Sequence, residues 1–138
     1  MMFRFGKMGS KAKAKTGSPV PPTPTYKQDF TKWTNEGGAT LTAHTITGTK
    51  QPTDNQEIVS VPVSVYNNVP WKLNNKETVQ INMMTRKGGS MINQYLINPG
   101  ENNIDLSSDI AGGADSILIY ISTSSSPIPY SLEETPTL

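Results

Sequence analysis

After Gly38 the chain alternates apolar and polar residues with a period of two, broken by glycine, proline and asparagine. In EIVSVPVSVY, Val59, Val61, Val63 and Val65 share one face and Ser60 and Ser64 the other, which predicts a half-buried strand. Pro62 has no N–H to give to a ladder, so this strand is expected at a sheet edge or with a bulge. TVQINMMT repeats the alternation with Val79, Ile81 and Met83 inward, Arg86 to Gly89 supplies a turn, and SMINQYLI returns as the second arm of a hairpin. Pro99 and Gly100 suit a type II turn, and Ile104 and Leu106 mark a short strand after it. SILIYIS is apolar at nearly every position and predicts a central strand buried on both faces. ATLTAHTITG and IPYSL bring the total to about seven.

The segment before Gly38 reads differently. Thr25 and Gln28 have capping-box spacing, Tyr26, Phe30 and Trp33 fall at i, i+4 and i+7, and Gly37-Gly38 ends the run. The pattern predicts one short amphipathic helix whose aromatic stripe lids the core. Strands of this length and spacing, with no βαβ crossovers, predict an all-β fold: an immunoglobulin-like β-sandwich, with a small jelly roll or barrel as the alternative.

From Gly6 to Thr25 almost nothing is apolar, so this stretch has no core to offset its ordering entropy. The expected organisation is an extended basic, proline-rich arm over 1–25, a sandwich over 26–132 and a tail over 133–138. Charge sharpens the division. Residues 1–28 hold Arg4, Lys7, Lys11, Lys13, Lys15 and Lys27 with no acid, whereas residues 29–138 hold six basic and eleven acidic residues. Such asymmetry marks a basic tail on a mildly acidic body. Pro19, Pro21, Pro22 and Pro24 bias the second half of the arm toward polyproline II.

The chain has no cysteine, which removes disulfide, thiolate and iron–sulfur chemistry. No apolar run is long enough to span a membrane or to form a secretion signal. His44 is the one histidine. Without a nucleophile motif such as G-x-S-x-G it reads as a polar strand position, and no catalytic residue, cofactor or metal site is expected. Asp105, Asp109 and Asp115 miss the calcium-loop pattern and read as a solvated loop. Trp71, among asparagines in NNVPWKLNN, is either a stacking platform for a sugar or a buried core residue.

The Lys/Ala/Pro/Thr run KAKAKTGSPVPPTPT, leading into a cysteine-free, Asn/Thr-rich β-domain, resembles small virion proteins of tailed bacteriophages, notably auxiliary or decoration proteins of the capsid. The resemblance is one of organisation. It implies a non-enzymatic protein in many copies in the virion, present in the host cytoplasm during assembly, whose arm docks on major capsid or other virion subunits. Arg4, Lys7, Lys11, Lys13 and Lys15 would supply attraction, and Pro19, Pro21, Pro22 and Pro24 an extended path with less entropy to lose. A nucleic-acid-binding capsid protein, using the same cations on phosphates, and a carbohydrate-binding or adhesive module built on Trp71 are the alternatives.

Overall fold

The computed structural model describes residues 23–138. Ten strands form: β1 (Thr34–Asn35), β2 (Thr40–Leu41), β3 (Thr45–Lys50), β4 (Glu57–Pro62), β5 (Trp71–Asn75), β6 (Ile81–Lys87), β7 (Ser90–Ile97), β8 (Gly100–Ile104), β9 (Ser116–Tyr120) and β10 (Ile128–Thr135). A short helix, α1 (Ser107–Ala111), lies between β8 and β9. The strands make two five-stranded antiparallel sheets, ordered β1-β4-β9-β6-β7 and β2-β3-β10-β5-β8.

The pairings are nested. β6 pairs with β7, β5 with β8, β4 with β9 and β3 with β10. One long two-stranded ribbon, closed at the β6–β7 turn, is thus folded across both layers, and lateral pairs β6·β9 and β5·β10 join its turns. Eight strands in this winding make a jelly roll. The order departs from the expected immunoglobulin-like one of about seven strands, where several consecutive strands share a sheet. Here, from β3 to β10, only β6 and β7 do so.

Alternation explains the core. Ile81, Met83, Val59, Val61, Ile117 and Ile119 face inward from one sheet, and Ile46, Leu73, Tyr130 and Leu132 from the other, all nearly inaccessible to water. Each such side chain contributes roughly 1.5–3 kcal/mol on burial. β9 is central and buries Ile117, Leu118 and Ile119 in succession, as its unbroken apolar run predicts. The β6–β7 turn is closed by Gly88 and Gly89 at φ 58° and 83°, the left-handed pair that a two-residue hairpin of this twist requires.

β4 carries a bulge between Glu57 and Val59 and ends at Pro62, which lies beyond the reach of two-residue β1. Val59 and Val61 are buried, but the alternation expected to continue through Val65 stops in a turn, where the amides of Val65 and Tyr66 donate to the Pro62 carbonyl. Val65 is left exposed.

The expected helix is reduced to one 3-10 turn, Phe30–Lys32, with Asp29 as its N-cap. Thr25 does not cap it. Thr25 instead exchanges both main-chain hydrogen bonds with Thr137, at 2.8 and 2.9 Å, so tertiary pairing takes the residue that capping-box spacing assigned to a helix start. β10 likewise runs through Thr135, so residues 133–135 belong to the sandwich and not to a tail.

Candidate functional site

Tyr130, Leu132 and Glu134 occupy successive inward positions of β10, so a carboxylate stands where the alternation calls for an apolar side chain. Glu134 is 1% exposed, and a buried charge is costly unless it is paired and hydrogen-bonded. Its partners come from the segment that enters the body. The main-chain N–H of Lys27 donates to Oε2 at 2.6 Å and that of Gln28 to Oε1 at 3.0 Å. His44 Nδ1 lies 3.7 Å from Oε1, beyond a hydrogen bond but within reach of an ion pair when the ring is protonated. The Glu134 amide closes the link by donating to the His44 carbonyl.

A second set of bonds fixes the same segment. Gln28 Nε2 donates to the Asn67 carbonyl at 2.8 Å, and Asn67 Nδ2 donates to the Lys27 carbonyl at 2.7 Å. Tyr26 leaves the predicted aromatic stripe and stacks on His44, ring centroids 3.5 Å apart and nearly parallel. Residues 25–28 are therefore held to the body by main chain, amide and aromatic contacts together. The two other members of the stripe act as expected: Phe30 and Trp33 close over Trp71 and Tyr66.

Trp71 is 4% exposed, and its Nε1 donates to the Tyr66 hydroxyl at 2.7 Å. With its ring enclosed it offers no face to a sugar, which removes the stacking platform. Burial pushes the Tyr66 phenol up to about 12; the Trp71 bond opposes the rise, and the charges of Asp105 and Glu134 add to it.

The three aspartates have separate tasks, and the middle one corrects the solvated-loop expectation. Asp105 accepts from the amide and hydroxyl of Ser107 at the start of α1, and these bonds hold its carboxyl below the usual range. Asp115 accepts from the Gly88 amide at 2.8 Å and steadies the hairpin turn. Asp109 is buried on α1 and accepts from Tyr95 Oη at 2.6 Å, Asn93 Nδ2 at 2.8 Å and Thr85 Oγ1 at 2.8 Å. Burial raises its pKa, yet the three bonds outweigh it and leave the carboxyl below the ordinary aspartate value. Asp109 therefore pins α1 to β6 and β7.

Among the described residues no three His, Asp or Glu side chains gather as metal ligands, and the His44 ring has no hydroxyl bonded to it. Among the described residues no helix is long and apolar enough to cross a membrane. On the outer face of the first sheet, Met84, Leu118 and Tyr120 floor an open cavity of about 420 Å³ rimmed by Asn55, Glu57 and Arg86, whose Nε has no hydrogen-bond partner among the described residues.

Of the residues expected to bind a partner, Arg4, Lys7, Lys11, Lys13, Lys15, Pro19, Pro21 and Pro22 lie outside the described residues; Pro24 lies within them and is exposed. Sequence reasoning missed Glu134 because 133–138 was assigned to a tail. The signal was present in the period-two run Tyr130, Leu132, Glu134. Comparison of this chain with family models, curated proteins and solved structures finds no match.

Proposed function

We propose that this protein is a non-enzymatic virion structural component, an auxiliary or decoration protein of a capsid, whose basic N-terminal segment docks on the major capsid subunits. The observation that carries the reading is the Glu134 clamp on Lys27 and Gln28. A buried carboxylate spent on two main-chain amides of an entering segment gives that segment a defined exit, as a tether needs. The charge division supports the same reading, since the six cations of residues 1–28 precede a body with five more acidic than basic residues. An acidic lattice would draw in the segment, and many copies on repeating sites would raise avidity above single-contact affinity. Eight-stranded jelly rolls serve in capsid and lectin domains alike, so the fold is compatible with the reading without selecting it. The enclosure of Trp71 takes away the residue on which a sugar-binding reading rested.

The test is co-sedimentation with particles from the source of the protein. Full-length chain is expected to pellet with particles at low salt and to lose association when Lys7, Lys11, Lys13 and Lys15 become glutamine. Undiminished association by that variant would sink the tether, and recovery of nucleic acid of any sequence in place of particles would reassign the cations to phosphate.

A further inference from the structure

The two sheets turn opposite kinds of surface outward. On the second, Thr45, Thr47, Lys72, Asn74, Ser131 and Glu133 alternate with the buried positions, and Lys72 and Lys76 hold ion pairs to Glu101 and Glu133 at 4.0 and 2.9 Å. Such a solvated face is what an antiparallel sandwich ordinarily shows. On the first, the outward row runs instead through Leu118 and Tyr120 of β9, Met84 of β6 and Leu96 of β7, the last 52% exposed. A contiguous apolar patch on an outer face marks a place that another surface covers.

Two charges flank this patch. Glu57 and Arg86 both line the 420 Å³ cavity floored by Met84, Leu118 and Tyr120, yet neither is in an ion pair among the described residues. Arg86 Nε is shut off from water without an acceptor, which costs free energy until one arrives. Glu36, at the β1 side, is already engaged by the Ser60 hydroxyl at 2.7 Å. Register explains why Glu57 does not serve. Glu57 pairs with Tyr120 and Arg86 with Ser116, so they stand on strands either side of β9 and four residues apart along it. At ~4.8 Å between strands and ~3.4 Å per residue their Cα atoms are roughly 17 Å apart, and Leu118 lies at the midpoint.

An acid and a cation set symmetrically about an apolar centre make a face complementary to itself. We propose that the outer face of the first sheet pairs with the same face of a second copy, as a two-fold dimer. A two-fold axis between the facing sheets, through Leu118 and at right angles to the Glu57–Arg86 diagonal, exchanges the two corners. Glu57 of each copy then accepts from Arg86 of the other, once on each side of the axis, as an isologous interface requires. The same operation lays Leu118 against Leu118 and Met84 against Tyr120. A partner of a single charge sign would satisfy one corner and bury the other unpaired, so charge complementarity selects a second copy. Five strands at ~4.8 Å and the seven residues of β6 at ~3.4 Å make a face roughly 24 Å square, at the small end of specific interfaces, so micromolar association is expected. The Glu134 clamp belongs to the other sheet and stays uncovered. This inference goes beyond the capsid reading and does not depend on it.

The experiment is sedimentation velocity of the purified full chain alone, over a hundredfold concentration range centred on tens of micromolar. Reversible dimerisation is expected, weakened at least tenfold by Glu57→Arg and, separately, by Arg86→Glu, each of which sets like charges against each other at both corners. An equimolar mixture of the two variants should recover the wild-type association, because their heterodimer again pairs an acid with a cation at each corner. Neither misfolding nor a general loss of charge can produce that recovery. Association that survives both single variants lies on another surface and overturns the proposal. Loss in both without recovery in the mixture shows that the two corners do not meet, which also overturns it. A wild-type chain that stays monomeric throughout refutes the dimer; if that monomer binds an apolar dye and Met84→Lys abolishes the binding, the face belongs to a different partner. Because no particles are present, each result leaves the co-sedimentation test standing.

Discussion

Oε2 of Glu134 accepts a hydrogen bond from the amide of Lys27, 107 positions earlier in the chain, and so joins the last strand of the sandwich to the segment that enters it. Glu134→Gln keeps the shape and removes the charge. Loss of charge assistance in two main-chain bonds is expected to cost on the order of 1–3 kcal/mol. Chemical denaturation measures the loss, and hydrogen exchange should show faster opening at Lys27 and Gln28 than in the hairpin. Unchanged protection there would mean that the clamp does not hold the exit.

Asp109 gives the fold an acid limit. Its folded pKa lies below the ordinary aspartate value, so its contribution is fully present above the unfolded pKa of ~3.9 and is lost as pH falls through the folded value. Stability should therefore drop below about pH 4. Asp109→Asn is expected to destabilise by roughly 1–3 kcal/mol at neutral pH and to flatten this acid limb. Urea midpoints between pH 2 and 7 for the two proteins decide the matter.

Two tyrosines give the opposite limit. Burial first, and then nearby carboxylates, push Tyr66 and Tyr95 to about 12, so the folded state retains both protons longer than the unfolded chain. Their contribution is present below the unfolded value of ~10 and is lost as pH climbs from there to the folded one. Phenolate absorbance should show at least two tyrosines titrating late, in step with alkaline unfolding. Tyr66→Phe should remove one of them and leave the Trp71 indole N–H without its acceptor.

Gly48 faces Tyr130 across the β3–β10 pair, and a methyl group placed on it would lie 2.5 Å from the Tyr130 oxygen. The buried ring uses the space that glycine leaves open. Gly48→Ala should displace it and cost roughly 1–3 kcal/mol by overpacking, despite alanine's better conformational entropy. Thermal unfolding checks the magnitude, and near-ultraviolet circular dichroism checks the shift of the ring.

The hairpin and the central strand were legible because both are local: alternation defines β6 and β7, Gly88-Gly89 defines their turn, and the apolar run defines β9. Alternation specifies which face a residue takes and not which strand lies beside it. The nested order, and hence the jelly roll in place of an immunoglobulin-like sandwich, followed from no local pattern. The same limit hid both buried carboxylates. Asp109 finds its donors 14 to 24 positions away and Glu134 finds its own more than a hundred away, so in sequence each reads as a solvated acid. The helix failed because Thr25 had a better partner in Thr137 than its own first turn.

The nested pairing also sets an order of events. Only β6 and β7 meet through a two-residue loop; every further rung joins strands more distant in the chain, ending with β3 and β10. Closing long loops late makes such folds slow, typically milliseconds to seconds. Zipping outward from Gly88-Gly89 is therefore the expected route, and pulsed hydrogen exchange should protect β6 and β7 before β10. Glu134 lies near the end of the final rung, so the exit clamp forms only when the whole ribbon has wound. A half-folded chain has no clamp on Lys27 and Gln28, so under the tether reading proposed above competence to dock would arrive only with the last turn of the chain.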